Sequence, residues 1–333
     1  MDNQRTPRSY STGTVKRDNR QQQQKMVVIL ICVVIALLLV VFSTILTVKI
    51  VQSLIGGFDN ANPSDVQYQN VTIDKNQTLY GPLALVNDTH EYKFPDEASK
   101  NLANIWEYRT SHTAEGVGAP YKTSNTSVVM DGTALVSAHE WLAAFQKQSG
   151  QGNATITGAY RTFQDQQSFQ VPAGKSDHHT GYGITLKIVV DQVTYDLASD
   201  ERYNWLAENA YKYGFVVRYP EAKAEITGIS GYEYYFHYVG YGPAKYMQDN
   251  NLCLEEFVAQ IKSYSADKPL EVTDANGQDW LIYYTACQGD VTTVKLPTNF
   301  TYTISGDNEG GIIVCVSLSK NAVQEQATDE VAQ

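Results

Sequence analysis

The sequence predicts an α+β domain followed by a small all-β appendage, both set behind a single apolar membrane span. Three observations predict it. Met26 to Val48 is a run without one charged residue. Helix-period and strand-like segments are mixed between about residues 80 and 264. After Lys268 and Pro269 the chain changes to short strands separated by turns.

The Met26–Val48 run reads MVVILICVVIALLLVVFSTILTV, and a helix of that length spans about 35 Å, enough to cross a bilayer. Residues 1–25 carry six Lys and Arg against two Asp and Glu, a net +4, whereas the formal charge of the whole chain is -11 and of the rest therefore -15. The positive side precedes the span, so the N-terminus is expected in the cytoplasm and residues from about 52 onward outside: a single-pass protein of the cell membrane. A cleaved signal peptide is the alternative, against which stand the length of the run and the lack of a nearby small-residue cleavage site. The acidic body repels nucleic acid and anionic lipid, which excludes both as ligands of the ectodomain. With 333 residues, 43% of them hydrophobic, the chain can bury one good core and a small second one.

Residues 49–79, with Gly56, Gly57, Pro63 and many Asn, Asp and Gln, read as a stalk, and folded sequence is expected from about Tyr80. A helix is expected at about 134–147, where Leu135, Ala138, Leu142 and Phe145 recur at helical spacing before Gly150. NATITGAY alternates like a strand. Ser199 reads as the cap of a helix that runs through WLAENAYKY to Gly214, with Asp200 and Glu201 in its first turn. FVVRYP then reads as a strand, GYEYYFHYVG as β-prone and aromatic, and about 253–263 as a third helix. Residues 265–320 form the β appendage and 321–333 a polar tail.

Of four cysteines, Cys253, Cys287 and Cys315 lie outside the span; a Cys287–Cys315 bridge between neighbouring strands and unpaired buried thiols both remain open. Sequons at Asn70, Asn76, Asn87, Asn125, Asn153 and Asn299 matter only in a eukaryotic host.

Three stretches carry a family resemblance. GAYRTFQDQQ at 158–167 is similar to S-G-Y-R-S-x-x-x-Q, with Arg161 and Gln166 on signature positions; SDHHTGYGIT at 176–185 is similar to S-x-H-x-x-G-x-A-x-D. YNWLAENAYKYGFVVRYP at 203–220 and YEYYFHYVG at 232–240 are similar to W-L-x-x-N-A-x-x-Y-G-F-x-x-R-Y-P and E-x-W-H-x-R-Y-V-G. LVNDTHEY at 85–92 and LCLEEF at 252–257 add landmarks. Together they resemble the VanY-type D-alanyl-D-alanine carboxypeptidases, LAS zinc metallopeptidases of bacterial cell walls. The resemblance implies, over 80–264, an antiparallel sheet with flanking helices, and a zinc hydrolase that trims D-alanine from peptidoglycan stem peptides. It implies zinc on His, Asp and His, a water activated to a pKa of about 7 with a Glu as base, and an arginine that steadies the oxyanion.

Carried over residue by residue, the set is incomplete. His178 matches the first ligand, Thr185 takes the Asp position, Tyr235 the second His, Tyr232 the Glu base, and His237 an Arg. His179, Asp177, Glu233 and His237 are ligand types nearby, but a residue two along a strand is displaced by about 6.6 Å, against a zinc–nitrogen bond of about 2.1 Å. The expectation is a membrane-anchored pseudo-carboxypeptidase with no zinc that binds stem peptides ending in D-Ala-D-Ala or serves as an envelope scaffold. Arg161, Gln166, Ser176, His178 and Tyr235 are the candidate binding residues, and Tyr232, Tyr234, Tyr235 and Phe236 are expected to line the cleft. Two alternatives stay open: an active zinc carboxypeptidase with rewired ligands, and a protein-interaction ectodomain.

Overall fold

The computed structural model describes residues 59–95, 100–150, 152–197 and 200–320. The expected cytoplasmic segment, the span at 26–48, the first part of the stalk, Ser199 and the polar tail lie outside the described residues. Among the described residues no helix is long and apolar enough to cross a membrane.

In chain order the strands are β1 (Tyr68–Asp74), β2 (Leu102–Asn104), β3 (Lys122–Thr123), β4 (Val129–Asp131), β5 (Ala154–Gly158), β6 (Gly183–Val190) and β7 (Val193–Tyr195), followed by β8 (Phe215–Tyr219) and β9 (Tyr232–Tyr238). The C-terminal strands are β10 (Leu270–Thr273), β11 (Asp279–Ala286), β12 (Val291–Pro297), β13 (Tyr302–Gly306) and β14 (Gly311–Ser317). The main helices are α1 (Ile105–Ser111), α2 (Gly132–Ser149), α3 (Asn204–Asn209), α4 (Tyr241–Asn250) and α5 (Leu254–Ile261).

The central sheet runs β3-β5-β6-β9-β8, with β7 on β6. Its pairs are antiparallel except β3 with β5, so the expected antiparallel sheet is mixed at one edge. Alternation along β6 divides its two faces: Ile184, Leu186 and Ile188 enter the core, while Gly183, Thr185 and Lys187 face the other way. α2 covers the apolar face. Asp131 caps it by accepting from Thr133 N at 2.9 Å and Ala134 N at 3.2 Å, and Gly150 closes it at φ 69°, a left-handed turn that costs glycine nothing. Trp141 on α2 packs 5.3 Å from Phe215 and 4.9 Å from Phe236, ring centre to ring centre.

Two expectations are corrected here. Residues 68–79 are not stalk: β1 pairs with β12 from Tyr68↔Pro297 to Asp74↔Val291, and Ile73 is buried in a core with Leu281, Val294 and Val314. Only a partner more than 200 residues away satisfies that polar strand. The helix expected from Ser199 to Gly214 is broken, with 3-10 turns at Glu201–Tyr203 and Ala210–Tyr213 on either side of α3.

The C-terminal strands are all-β, in the order β10-β11-β14-β13; one face closes a core with β1, and the other packs against the preceding domain. Leu83, Val239, Met247 and Phe257 share one apolar cluster with Leu270, Ile282, Ile313 and Cys315. Cys253, Cys287 and Cys315 are free thiols. Cys315 sits opposite Ile282 in the ladder, while Cys287 lies beyond the end of β11, several residues from bridging reach. A fragment starting at Tyr80 loses β1 and is expected to be less stable than one starting at Asp59 by at least the ~1.5–3 kcal/mol of burying Ile73; denaturant unfolding of both fragments measures it.

Candidate functional site

Arg161 is positioned by what surrounds its backbone. A register shift between Ile156 and Gly158 disturbs β5 just before it, with Gly158 still paired to Thr185. Thr162 then caps a single turn, Phe163–Gln166, in a reciprocal capping box with Asp165. His179 Nδ1 donates to Arg161 O at 2.7 Å while its Nε2 accepts from Gly174 N at 3.0 Å, which fixes one neutral tautomer and turns the ring away from His178. The guanidinium donates to Gln166 Oε1 at 3.0 Å, Gln166 in turn donates to Val171 O at 2.7 Å, and the Phe169 ring lies 3.6 Å from Arg161 Cζ. Burial lowers the Arg161 pKa from its ordinary very high value, which leaves it charged.

The other face of the sheet completes the site. Thr185 and Tyr235 are directly opposite each other in the β6–β9 ladder, and Gly158 is opposite Thr185 on the other side. A β-carbon on Gly158 would lie 3.0 Å from Arg161 Nη2, 3.3 Å from His178 Cε1 and 3.3 Å from Thr185 Oγ1, so three polar side chains converge over this glycine. Arg161, Gln166, Ser176, His178, Thr185, Tyr232 and Tyr235 all line one cavity of about 220 Å3. Every residue carried over from the family pattern to a ligand, base or binding position is therefore brought together. Phe236 is not: it faces the opposite side of β9 and packs on Trp141 in the core.

Beneath the cavity lies a buried network that the sequence reading did not assemble. Asp177 Oδ2 accepts from the Tyr235 hydroxyl at 2.9 Å and from His237 Nδ1 at 2.6 Å, and its Oδ1 lies 3.3 Å from Arg218 Nε. Arg218 makes a two-pronged pair with Glu255, at 2.7 and 2.9 Å. His237 Nε2 lies 2.8 Å from Pro82 O, so both ring nitrogens face oxygen atoms. Burial alone would raise the Asp177 carboxyl, but His237, Arg218 and Tyr235 outweigh it and hold it below the usual carboxylate range. Gly183 makes the passage: a β-carbon there would collide with the Tyr235 hydroxyl.

His178 is the one family ligand retained. Its Nε2 lies 3.4 Å from Thr185 Oγ1, its ring is edge-on to Tyr235 at 4.6 Å, and its buried Nδ1 has no well-aligned hydrogen-bond partner. Burial first, then the Arg161 charge, lowers its pKa to about 3, so it is neutral near pH 7. The residues present do not fit the three-ligand zinc site. Thr185 offers a neutral hydroxyl, and Tyr235, pushed well above the ordinary tyrosine value by burial and by Asp177, keeps its proton and spends it on that carboxylate. The nearby ligand types are engaged elsewhere: Asp177 and His237 in the buried network, His179 on backbone groups, and Glu233 accepting from Glu221 N at 3.3 Å. Among the described residues there is no group of three or more His, Cys, Asp and Glu side chains that could hold a metal ion.

Gly158, Phe169, Lys187 and Tyr219 also line or shape the cavity and were not singled out from sequence. A readable signal existed for Arg218: a cation inside the apolar strand FVVRY is buried at 0% exposure and therefore needs acidic partners.

Comparison with known proteins sets this fold and constellation beside the D-alanyl-D-alanine carboxypeptidases. Residues 141–241 match the VanY family, described as D-alanyl-D-alanine carboxypeptidase, so the chain carries a VanY-family domain. A D-alanyl-D-alanine carboxypeptidase of Enterococcus faecium is 29% identical over 256 residues, which cover 74% of this chain and 79% of that protein. The putative carboxypeptidase YodJ of Bacillus subtilis (strain 168) is 36% identical over 91 residues, covering 27% of this chain and 33% of YodJ. The crystal structure of the vancomycin resistance D,D-dipeptidase VanXYg in complex with a D-Ala-D-Ala phosphinate analog superimposes with a TM-score of 0.63 at 25% identity, covering 75% of this chain and 99% of that one.

Two outcomes follow for stability. Asp177→Asn takes a carboxylate away from buried Arg218 and is expected to cost about 3–5 kcal/mol in denaturant unfolding at pH 7. Because the carboxyl is held low, that contribution is present above the ordinary carboxylate range and is lost only as pH falls through the lowered value. His178 has the opposite linkage. Its folded pKa of about 3 lies below the unfolded value of 6.5, so the unfolded chain binds the extra proton and stability rises with pH between the two. His178→Gln is expected to flatten the slope of stability against pH in that window by on the order of a few kcal/mol in total.

Proposed function

We propose that this protein is a membrane-anchored VanY-like peptide-binding protein that recognises the carboxyl terminus of cell-wall stem peptides through Arg161 and does not hydrolyse them with zinc. The observation that carries the reading is the convergence over Gly158: a charged guanidinium, a neutral imidazole and a hydroxyl share one opening, where the family's chemistry needs three metal ligands and a base. Arg161 Nη2 points to that opening while Gln166 and Phe169 fix the rest of the group, a pre-organised carboxylate anchor. Tyr219, Tyr232 and Tyr234 supply apolar wall for small side chains. The ligand chemistry is carried over from relatives described as D-alanyl-D-alanine carboxypeptidases and from the D-Ala-D-Ala analogue bound to VanXYg. The uncharged run at 26–48, preceded by the basic residues, supports the anchor and an extracellular ectodomain.

Calorimetric titration with a peptide ending in D-Ala-D-Ala and with its C-terminal amide, together with an assay of D-alanine release, tests this. Expected are binding of the free acid only, no release, and about 10- to 100-fold weaker binding by Arg161→Ala, the loss of a charge-assisted hydrogen bond. Release of D-alanine by the zinc-loaded protein would make it an active carboxypeptidase instead. No binding of either peptide would favour the protein-interaction reading.

A further inference from the structure

A second cavity, of about 280 Å3, opens at the seam between the VanY-family sheet and the C-terminal strands and shares no lining residue with the Arg161 cavity. Parts of the chain far apart in sequence build it. Asp131 and Thr133 come from the start of α2, Tyr182 and Tyr238 from the approach to β6 and the end of β9, with Tyr241 opening α4, and Trp280 from β11.

The charge of the wall limits what can enter. Among the described residues no Lys, Arg or His lines the cavity, so they offer an anion no counter-charge. The single carboxylate, Asp131, is 8% exposed and already caps α2 through Thr133 N and Ala134 N, so the positive end of that helix offsets its charge and a cation gains little. Burial raises Asp131 and pushes the Tyr182 and Tyr238 hydroxyls further up, so the tyrosines stay protonated. What remains is a wall of aromatic bodies, apolar along the rings, whose hydroxyls are held by the protein, Tyr182 on Asp131 and Tyr238 and Tyr241 on Ser137, and keep only their remaining hydrogen-bonding capacity for a ligand.

The wall is also set in advance. Trp280 Nε1 donates to Asp274 Oδ2 at 2.9 Å, and Tyr241 Oη lies 3.1 Å from Ser137 Oγ, so neither ring has to be ordered by a ligand. The volume is just below the roughly 300–1,000 Å3 of pockets that take drug-sized ligands, which suits one small ring rather than a chain.

We propose that this seam cavity binds a neutral sugar ring, stacked on the aromatic side chains and hydrogen-bonded to Asp131, Thr133 and the tyrosyl hydroxyls. The site is independent of Arg161 and does not rest on the peptide reading. It would let a saccharide tie the C-terminal strands to the VanY-family sheet.

Saturation-transfer NMR on the full-length protein tests it, with glucose, N-acetylglucosamine, cellobiose and chitobiose as neutral probes and choline and acetate as charged ones. The expected result is transfer to at least one sugar with a Kd on the order of millimolar and none to choline or acetate. Thr133 is exposed at the mouth, so Thr133→Trp is expected to weaken that sugar at least about tenfold while Thr133→Ser keeps it. Unchanged thermal unfolding of both variants separates blockage from misfolding. Absence of transfer to all four sugars, transfer that survives Thr133→Trp in a folded variant, or transfer to choline or acetate in place of sugar would each overturn the proposal.

Discussion

The Asp177 carboxylate is the point on which the site depends. It receives the hydroxyl of Tyr235, an N–H of His237 and the charge of Arg218, and through Arg218 it reaches Glu255 on α5. Arg218 is buried between two carboxylates, Asp177 and Glu255, the pairing that a low-dielectric interior demands of a buried charge. The same carboxylate draws the Tyr235 hydroxyl down past Gly183, away from the position over Gly158 where the cavity opens. A floor of hydrogen bonds thus stands beneath a site whose family counterpart is organised around an ion.

The proposed peptide recognition rests on the groups above that floor. Arg161 keeps its charge, its brace on Gln166 and its cover by Phe169. Lys187, two residues beyond Thr185 on the same strand face, adds a second cation; its ammonium lies 3.3 Å from the centre of the Tyr234 ring and pairs with Asp196. In a chain whose formal charge is -11, Arg161 is the basic group that the proposed anionic ligand would meet, since Lys187 already has Asp196 as its partner. Neutral His178 and Thr185 complete the opening without supplying a base comparable to the absent Glu.

Much of this was legible in the sequence because it is local. The spacing of Leu135, Ala138, Leu142 and Phe145 fixed the face of α2, and the motif register placed Arg161, Gln166, His178, Thr185 and Tyr235 around one opening. What stayed hidden depends on distant partners. β1 reads as polar linker because β12 satisfies its backbone from more than 200 residues away. His237 reads as a candidate ligand because neither of its partners, Asp177 and Pro82, is near it in sequence. Phe236 was assigned to the cleft by composition, whereas strand alternation turns it into the core. The role of Gly158 needs the shifted register of β5, which no single-residue preference announces.

Zinc titration into metal-stripped, full-length protein tests the central claim most directly, because it asks whether His178 with Thr185 and Tyr235 can bind the ion of the family. The account predicts no stoichiometric uptake and the same calorimetric trace for His178→Ala. One equivalent of zinc bound tightly by the native protein and lost in His178→Ala would contradict it.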